Sequence, residues 1–277
     1  MRFEGRVVLI TGAGRGQGRS HAVRFAQEGA DIIACDIASG TLETVPYPLS
    51  TEADLHETCR LVEEAGGNAT PEMVDVRDLS GMIAVANRAV DRHGGIDVLV
   101  ANAGICTFGA VADMSSETWQ TTIDVNLTGA FTAIRGVLPH LISRSSGRIV
   151  ATASMAGRAG WENIGHYAAA KWGVIGLVKS VALEVAPYGI TANVVCPSSV
   201  NTPMMHNDAA YQLFRPDLEA PTLEEALPAF ASTNVQPVPY VEPDDVSDAV
   251  LFLASDEARF ITGATLSPAA GVNARNV

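Results

Sequence analysis

Val7-Val8-Leu9-Ile10-Thr11-Gly12-Ala13-Gly14-Arg15-Gly16-Gln17-Gly18 is the stretch that decides the fold class. Four consecutive apolar residues predict a strand covered on both faces. The glycines after it fit T-G-x-x-x-G-x-G, through Gly12, Gly16 and Gly18, and fit no register of G-x-G-x-x-G. Bare backbone there can turn tightly and let a pyrophosphate approach the N-terminus of the following helix. The motif alone is also compatible with an ordinary Gly-rich turn. The strand before it, and an acid (Asp36) after the next strand, favour a dinucleotide site.

Outward from that turn, short apolar runs alternate with longer helical patterns. Strands are predicted at 7–10, 31–35, 71–74, 98–101, 148–153, 191–196 and 264–266, and helices at 18–28, 52–65, 79–93, 116–143, 165–186 and 244–254. The 116–143 pattern is the clearest. Trp119, Ile123, Leu127, Ala130, Ile134, Leu138 and Leu141 trace one apolar face, and Pro139 is expected to bend the last turn. This order predicts an α/β fold: a doubly wound, mostly parallel seven-stranded sheet with right-handed crossovers and helices on both faces. Residues 1–277 are expected to form a single domain, as α/β folds of ~250 residues commonly do. Two stretches break the alternation: a loop at 37–51, and an excursion at 198–239 rich in Pro, Met and aromatics. Both should overhang the ligand edge of the sheet, so both are expected to be lids.

The formal net charge of -13 argues against a nucleic-acid or anionic-membrane partner, since both want Lys and Arg patches. No apolar run reaches the ~18 residues of a membrane span, and no targeting segment is expected before the first strand, so the expected location is cytoplasmic. Cys35, Cys59, Cys106 and Cys196 show no paired spacing and read as reduced thiols, with no metal site expected. Cys106 is either a substrate contact or ordinary packing.

Asp36, Asp75, Asn102, Ser154 and Pro197 all fall at predicted strand ends, where such sheets bind ligands. A carboxylate at Asp36 would accept ribose hydroxyls and repel a 2′-phosphate, which favours NAD over NADP. Arg15 argues the other way, because its guanidinium could reach that phosphate. Asp75, with Val76, is placed to hold an adenine; the alternative is an exposed turn in which Asp78 caps the next helix. Tyr167 and Lys171 are four residues apart, thirteen residues after Ser154. Residues at that spacing share a helix face. A phenol with a reference pKa of ~10 needs such a cationic neighbour to ionise near neutrality. A tuned phenol beside a bound nicotinamide describes an alcohol dehydrogenase, although each residue taken singly would pass for surface or packing.

Thr11-Gly12-x-x-x-Gly16-x-Gly18, Asn102-Ala103-Gly104, Asn126, Ser154 and Tyr167-x-x-x-Lys171 together resemble the short-chain dehydrogenase/reductases, over essentially the whole chain. The resemblance implies a Rossmann-type domain with Asn126, Ser154, Tyr167 and Lys171 as the catalytic set. Tyr167 would be the acid or base, and Lys171 would lower its pKa and bond the nicotinamide ribose. Ser154 would fix the substrate oxygen, and Asn126 would hold a relay water. Bringing a phenol from ~10 to ~7 corresponds to about 4 kcal/mol. The nucleotide would meet Gly12, Arg15, Gly16, Gln17 and Gly18, then Asp36 with Ile37, and Asp75 with Val76. Asn102, Ala103 and Gly104 would line the cofactor, and Pro197, Val200 and Thr202 would stand at its carboxamide. Ser198 departs from the Gly usual after that proline, and residues 268–271 lack the acidic residue usual in close relatives.

A narrower resemblance, to the carveol dehydrogenase subgroup, lies in Gly16-Gln17-Gly18-Arg19-Ser20-His21, in Tyr47-Pro48-Leu49, and in residues 199–219 and 239–243. That subgroup includes the mycofactocin-coupled dehydrogenases. It implies NAD held under loop 37–51 and re-oxidised by a separate redox carrier, mycofactocin. The family's four-helix subunit contacts imply a homotetramer through helices 116–143 and 165–186. Ile105, Phe108, Met155, Trp161, Met204, Met205, Tyr211 and Phe214 suit a hydrophobic secondary alcohol or ketone of cyclic, terpenoid or steroid-like kind. Two alternatives stay open: an NADP-dependent ketone or 3-oxoacyl reductase, which Asp36 opposes, and a non-catalytic NAD-binding sensor, which Ser154, Tyr167 and Lys171 oppose.

Overall fold

The first strand, β1 (Val7–Thr11), is buried along its whole length. Val7 and Leu9 enter one apolar layer and Val8 and Ile10 the opposite one, as the two-residue period of a strand requires. The computed structural model describes residues 1–275; residues 276 and 277 of the expected domain lie outside the described residues. The other strands are β2 (Asp31–Asp36), β3 (Asn68–Met73), β4 (Val98–Ala101), β5 (Gly147–Thr152), β6 (Ile190–Val195) and β7 (Thr265–Leu266). Among the described residues they form one sheet in the order β3-β2-β1-β4-β5-β6-β7. Every pairing is parallel, where a mostly parallel sheet was expected.

Helices cover both faces. On one side α1 (Gly16–Gln27), α2 (Glu52–Glu64) and α9 (Pro243–Ala254) bury Phe25, Leu55 and Leu251. On the other, α3 (Leu79–His93), α5 (Gly129–Arg144) and α6 (Gly165–Val185) bury Met82, Val137 and Val178. The strand order reverses between β1 and β4, so the crevice beyond their carboxyl ends is the topological switch point.

Three differences from the sequence reading have physical causes. β3 begins at Asn68, three residues early, because this edge strand is half exposed and carries no apolar run. The 116–143 pattern is not one regular helix. It runs as α4 (Ser116–Ile123), a π-helical turn over Asp124–Thr128, and α5. The wider turn inserts one residue, worth about 100° of rotation. Trp119, expected on the buried stripe, is accordingly 41% exposed. The 198–239 excursion carries two helices of its own, α7 (Asp208–Phe214) and α8 (Leu223–Thr233). Thr222 and Glu225 form a reciprocal capping box at the N-terminus of α8.

Candidate active site

A cavity of about 560 Å³ opens at the switch point. At its nucleotide end, Gly12 and Gly16 have φ of +69° and +55°, a region side chains rarely adopt. A Cβ on Gly18 would fall 2.0 Å from the Gly12 carbonyl, so the turn and α1 pack at a distance only glycine permits. No side chain caps α1 and no acid occupies its first turn, which leaves its N–H groups for an anion.

Asp36 is buried. Its carboxylate accepts the Gly14 N–H at 2.9 Å, the Ala38 N–H at 3.0 Å and the Ser50 hydroxyl. Ser50 was not anticipated, and nothing in its local sequence marks it. Asp75 and Val76 line the cavity with Ile37. The Asp75 carboxylate, expected to take an adenine amine, is forked by the Arg77 guanidinium at 2.9 and 3.0 Å. Burial would raise its pKa, but Arg77 outweighs this and holds it below the usual carboxylate range. Asp78 caps α3 by accepting the Ser80 N–H at 2.9 Å. Arg15 lines the cavity, and its guanidinium donates one N–H to the Pro48 carbonyl.

Thr11 ties the β1 end to the Asn102-Ala103-Gly104 segment, its hydroxyl accepting N–H groups from Asn102 at 3.0 Å and Ala103 at 3.1 Å. Pro197, Val200 and Thr202 line the same wall, and Gly16 faces Thr202 so closely that a Cβ would sit 3.2 Å from its methyl. Gln17 Oε1 and Ser198 Oγ are buried in this cavity wall without a protein partner. Two orphaned polar atoms, a glycine turn and an uncapped helix fit a dinucleotide.

The chemical end is assembled from β4, β5, α6 and the π turn. Ser154 leaves β5 extended, accepts the Ala156 N–H at 3.1 Å and lines the cavity. Tyr167 is the third residue of α6 and Lys171 lies one turn on. Lys171 Nζ donates to the Thr152 carbonyl at 2.9 Å and lies 5.5 Å from the Tyr167 ring centroid. Among the described residues no hydrogen bond joins Lys171 Nζ to the phenol oxygen; the ammonium is held beside Tyr167 by the Thr152 carbonyl. Burial pushes the phenol above its ordinary value, against a hydrogen bond with Ser154 that lowers it, and pushes Lys171 down to about 8.

Asn126 sits in the π turn, fully buried. Its amide donates to the carbonyls of Ile105 and Thr122, each at 2.9 Å, and its oxygen accepts the Ile105 N–H at 3.3 Å. A Cβ on Gly104 would meet Asn126 Oδ1 at 2.7 Å and Lys171 Nζ at 3.3 Å, so glycine there lets the two groups approach.

Beyond the reacting groups, Ile105, Met155, Trp161, Met204, Met205 and Phe214 all line the cavity. Cys106 does so too, and burial pushes its thiol up to about 12. Tyr211 packs instead on Phe230 within the 198–239 excursion. Val272, from the C-terminal segment, joins this wall without any warning in the sequence. Over the other end lies loop 37–51, with Leu42, Tyr47 and Leu49 against the cavity. The Tyr47 hydroxyl accepts the Cys106 N–H at 3.0 Å, pinning the loop across the crevice.

A parallel doubly wound sheet with a glycine turn, a strand-end carboxylate and a Ser-Tyr-Lys cluster in one cavity defines a nucleotide-dependent dehydrogenase. The family description "short chain dehydrogenase" matches residues 6–212, and the chain belongs to that family. It is 46% identical over 272 residues to (-)-trans-carveol dehydrogenase of Rhodococcus erythropolis, covering 98% of each chain. The crystal structure of carveol dehydrogenase from Mycobacterium avium in complex with NAD superposes with a TM-score of 0.96, at 45% identity and 99% coverage of both chains. A short chain dehydrogenase from Mycobacterium paratuberculosis bound to NAD gives 0.88 at 38% identity, over 96% of this chain and 97% of that one.

Proposed function

We propose that the protein is an NAD-dependent oxidoreductase interconverting a hydrophobic secondary alcohol, carveol-like and cyclic, and its ketone. One observation carries this reading: the glycine turn, Asp36 and the Ser154-Tyr167-Lys171 cluster line the same cavity. NAD would supply the hydride acceptor, held by the α1 N-terminus, Asp36, Asn102 to Gly104, and the Pro197, Val200 and Thr202 wall. The Ser154 hydroxyl positions the substrate oxygen. Tyr167, protonated as burial leaves it, donates to that oxygen in reduction and takes the proton back in oxidation. The positive charge of Lys171 one turn away favours the phenolate, and Asn126 orients the groups through which the proton leaves. Asp36, together with an Arg15 already engaged by the loop, favours NAD over NADP.

The same-cavity placement of loop 37–51 supports a clasp over bound NAD, with re-oxidation in place by a separate carrier of the mycofactocin kind. Exposed Trp119, Phe131, Trp172 and Leu183 on α4, α5 and α6 support a homotetramer. Among the described residues no helix is long and apolar enough to cross a membrane. Four buried free thiols suit a reducing cytoplasm.

The test is Tyr167→Phe. Turnover of carveol should fall about 10³-fold or more while NAD affinity stays nearly constant. Undiminished turnover would sink the assignment. Denaturing the purified protein and identifying the released nucleotide tests the clasp: retained NAD supports it, and none counts against it.

A further inference from the structure

Behind the cavity wall lies a buried polar chain that none of the roles above uses. His166 precedes Tyr167 on α6 and is wholly buried. Its Nε2 is 2.5 Å from the Thr107 hydroxyl, which is 3.2 Å from the Thr122 hydroxyl on α4. The Thr122 carbonyl in turn accepts the Asn126 amide at 2.9 Å. His166, Thr107 and Thr122 do not line the cavity; they sit one layer behind residues that do. The chain therefore joins the first turn of α6, which carries Tyr167, through the segment after β4 to the π turn, which carries Asn126.

The first turn of α6 needs such a brace. Ile164, at its N-cap, offers no side-chain bond, so the turn that carries Tyr167 has no local cap. The side-chain bond of His166, the second residue of the helix, instead ties that turn to the segment after β4. Burial keeps the imidazole pKa below its ordinary value, so His166 stays neutral and can bond a hydroxyl without an ionic partner.

We propose that His166 is a positioning residue: through Thr107 and Thr122 it fixes the first turn of α6 against the Asn126 turn, and so sets where the Tyr167 phenol stands relative to the substrate oxygen. Misplacement of about 1 Å can cost about 10²-fold in rate. The inference rests on the catalytic reading of Tyr167, and the experiment separates the two.

His166→Leu, His166→Gln, Thr107→Val, the Leu/Val double variant and Tyr167→Phe are compared by kcat, KM, pH–rate profile and NAD affinity. His166→Leu and Thr107→Val should each lower kcat about 10- to 100-fold, with NAD affinity within about twofold of wild type. The pH limb belonging to the phenol should move in both. The double variant should fall little further than either single one, because both remove the same bond. His166→Gln, whose amide reaches about as far as Nε2, should recover most of the rate. Wild-type kcat in both His166→Leu and Thr107→Val, with Tyr167→Phe inactive, overturns this inference alone. A loss in His166→Leu that Gln does not rescue, with Thr107→Val normal, also overturns it, since that pattern is general damage to packing. Full turnover by Tyr167→Phe overturns the catalytic reading and this inference with it.

Discussion

Asp36 shows how much one carboxylate can do. Three donors from the glycine turn and loop 37–51 converge on it, so it organises the nucleotide end before any ribose arrives. Asp36→Ala should narrow the preference for NAD over NADP by at least about tenfold, or about 1.4 kcal/mol, in the ratio of kcat/KM values. An unchanged ratio would assign the selectivity elsewhere. Gln17 and Ser198 make a second case, as buried polar atoms left without protein partners. Gln17→Leu should weaken NAD binding several-fold in a calorimetric titration if its amide is satisfied by the cofactor. Asp36, Tyr167 and Lys171 were legible because strand-end position and helical spacing are local properties. Ser50, Thr107 and His166 were not, because their partners lie 14, 15 and 59 residues away.

At the scale of elements, loop 37–51 and the π turn matter most. The loop is held by Arg15 to Pro48, Ser50 to Asp36 and Cys106 to Tyr47. Tyr47→Phe leaves the buried Cys106 N–H unpaired, a penalty of about 1–3 kcal/mol. NAD should then dissociate about 10- to 100-fold faster in stopped-flow fluorescence, with the fold intact by circular dichroism. An unaltered release rate would mean the loop does not retain the cofactor. Periodicity revealed a long helix over 116–143 but hid its π turn. Hydrophobic spacing reports a face, and a single inserted residue shifts that face without erasing it.

For the whole molecule, acid stability follows from His21. It is buried between α1 and α9, bonded to Ser247 at 2.8 Å, and burial pushes it down to about 3. Because the folded pKa lies below the unfolded value of about 6.5, the unfolded chain binds more protons as pH falls. The stability that neutral His21 provides is complete above about 6.5 and lost as pH drops towards 3, by at most about 5 kcal/mol. Urea unfolding of His21→Leu between pH 7 and 4 should show a shallower decline than wild type, and parallel curves would refute the assignment. Sedimentation should find a homotetramer that Phe131→Asp weakens, because Phe131 is 44% exposed on α5. A monodisperse monomer would leave that apolar surface unexplained.

Local patterns in the chain determined the strands, the helices, the glycine turn and the catalytic spacing, because strand and helix periods and backbone turns depend on neighbours a few residues apart. Only the tertiary structure decided that Lys171 donates to the Thr152 carbonyl, that Tyr47 ties loop 37–51 to Cys106, and that His166 meets Thr107. Those facts depend on hydrogen bonds and burial between segments remote in sequence, which packing alone brings within reach.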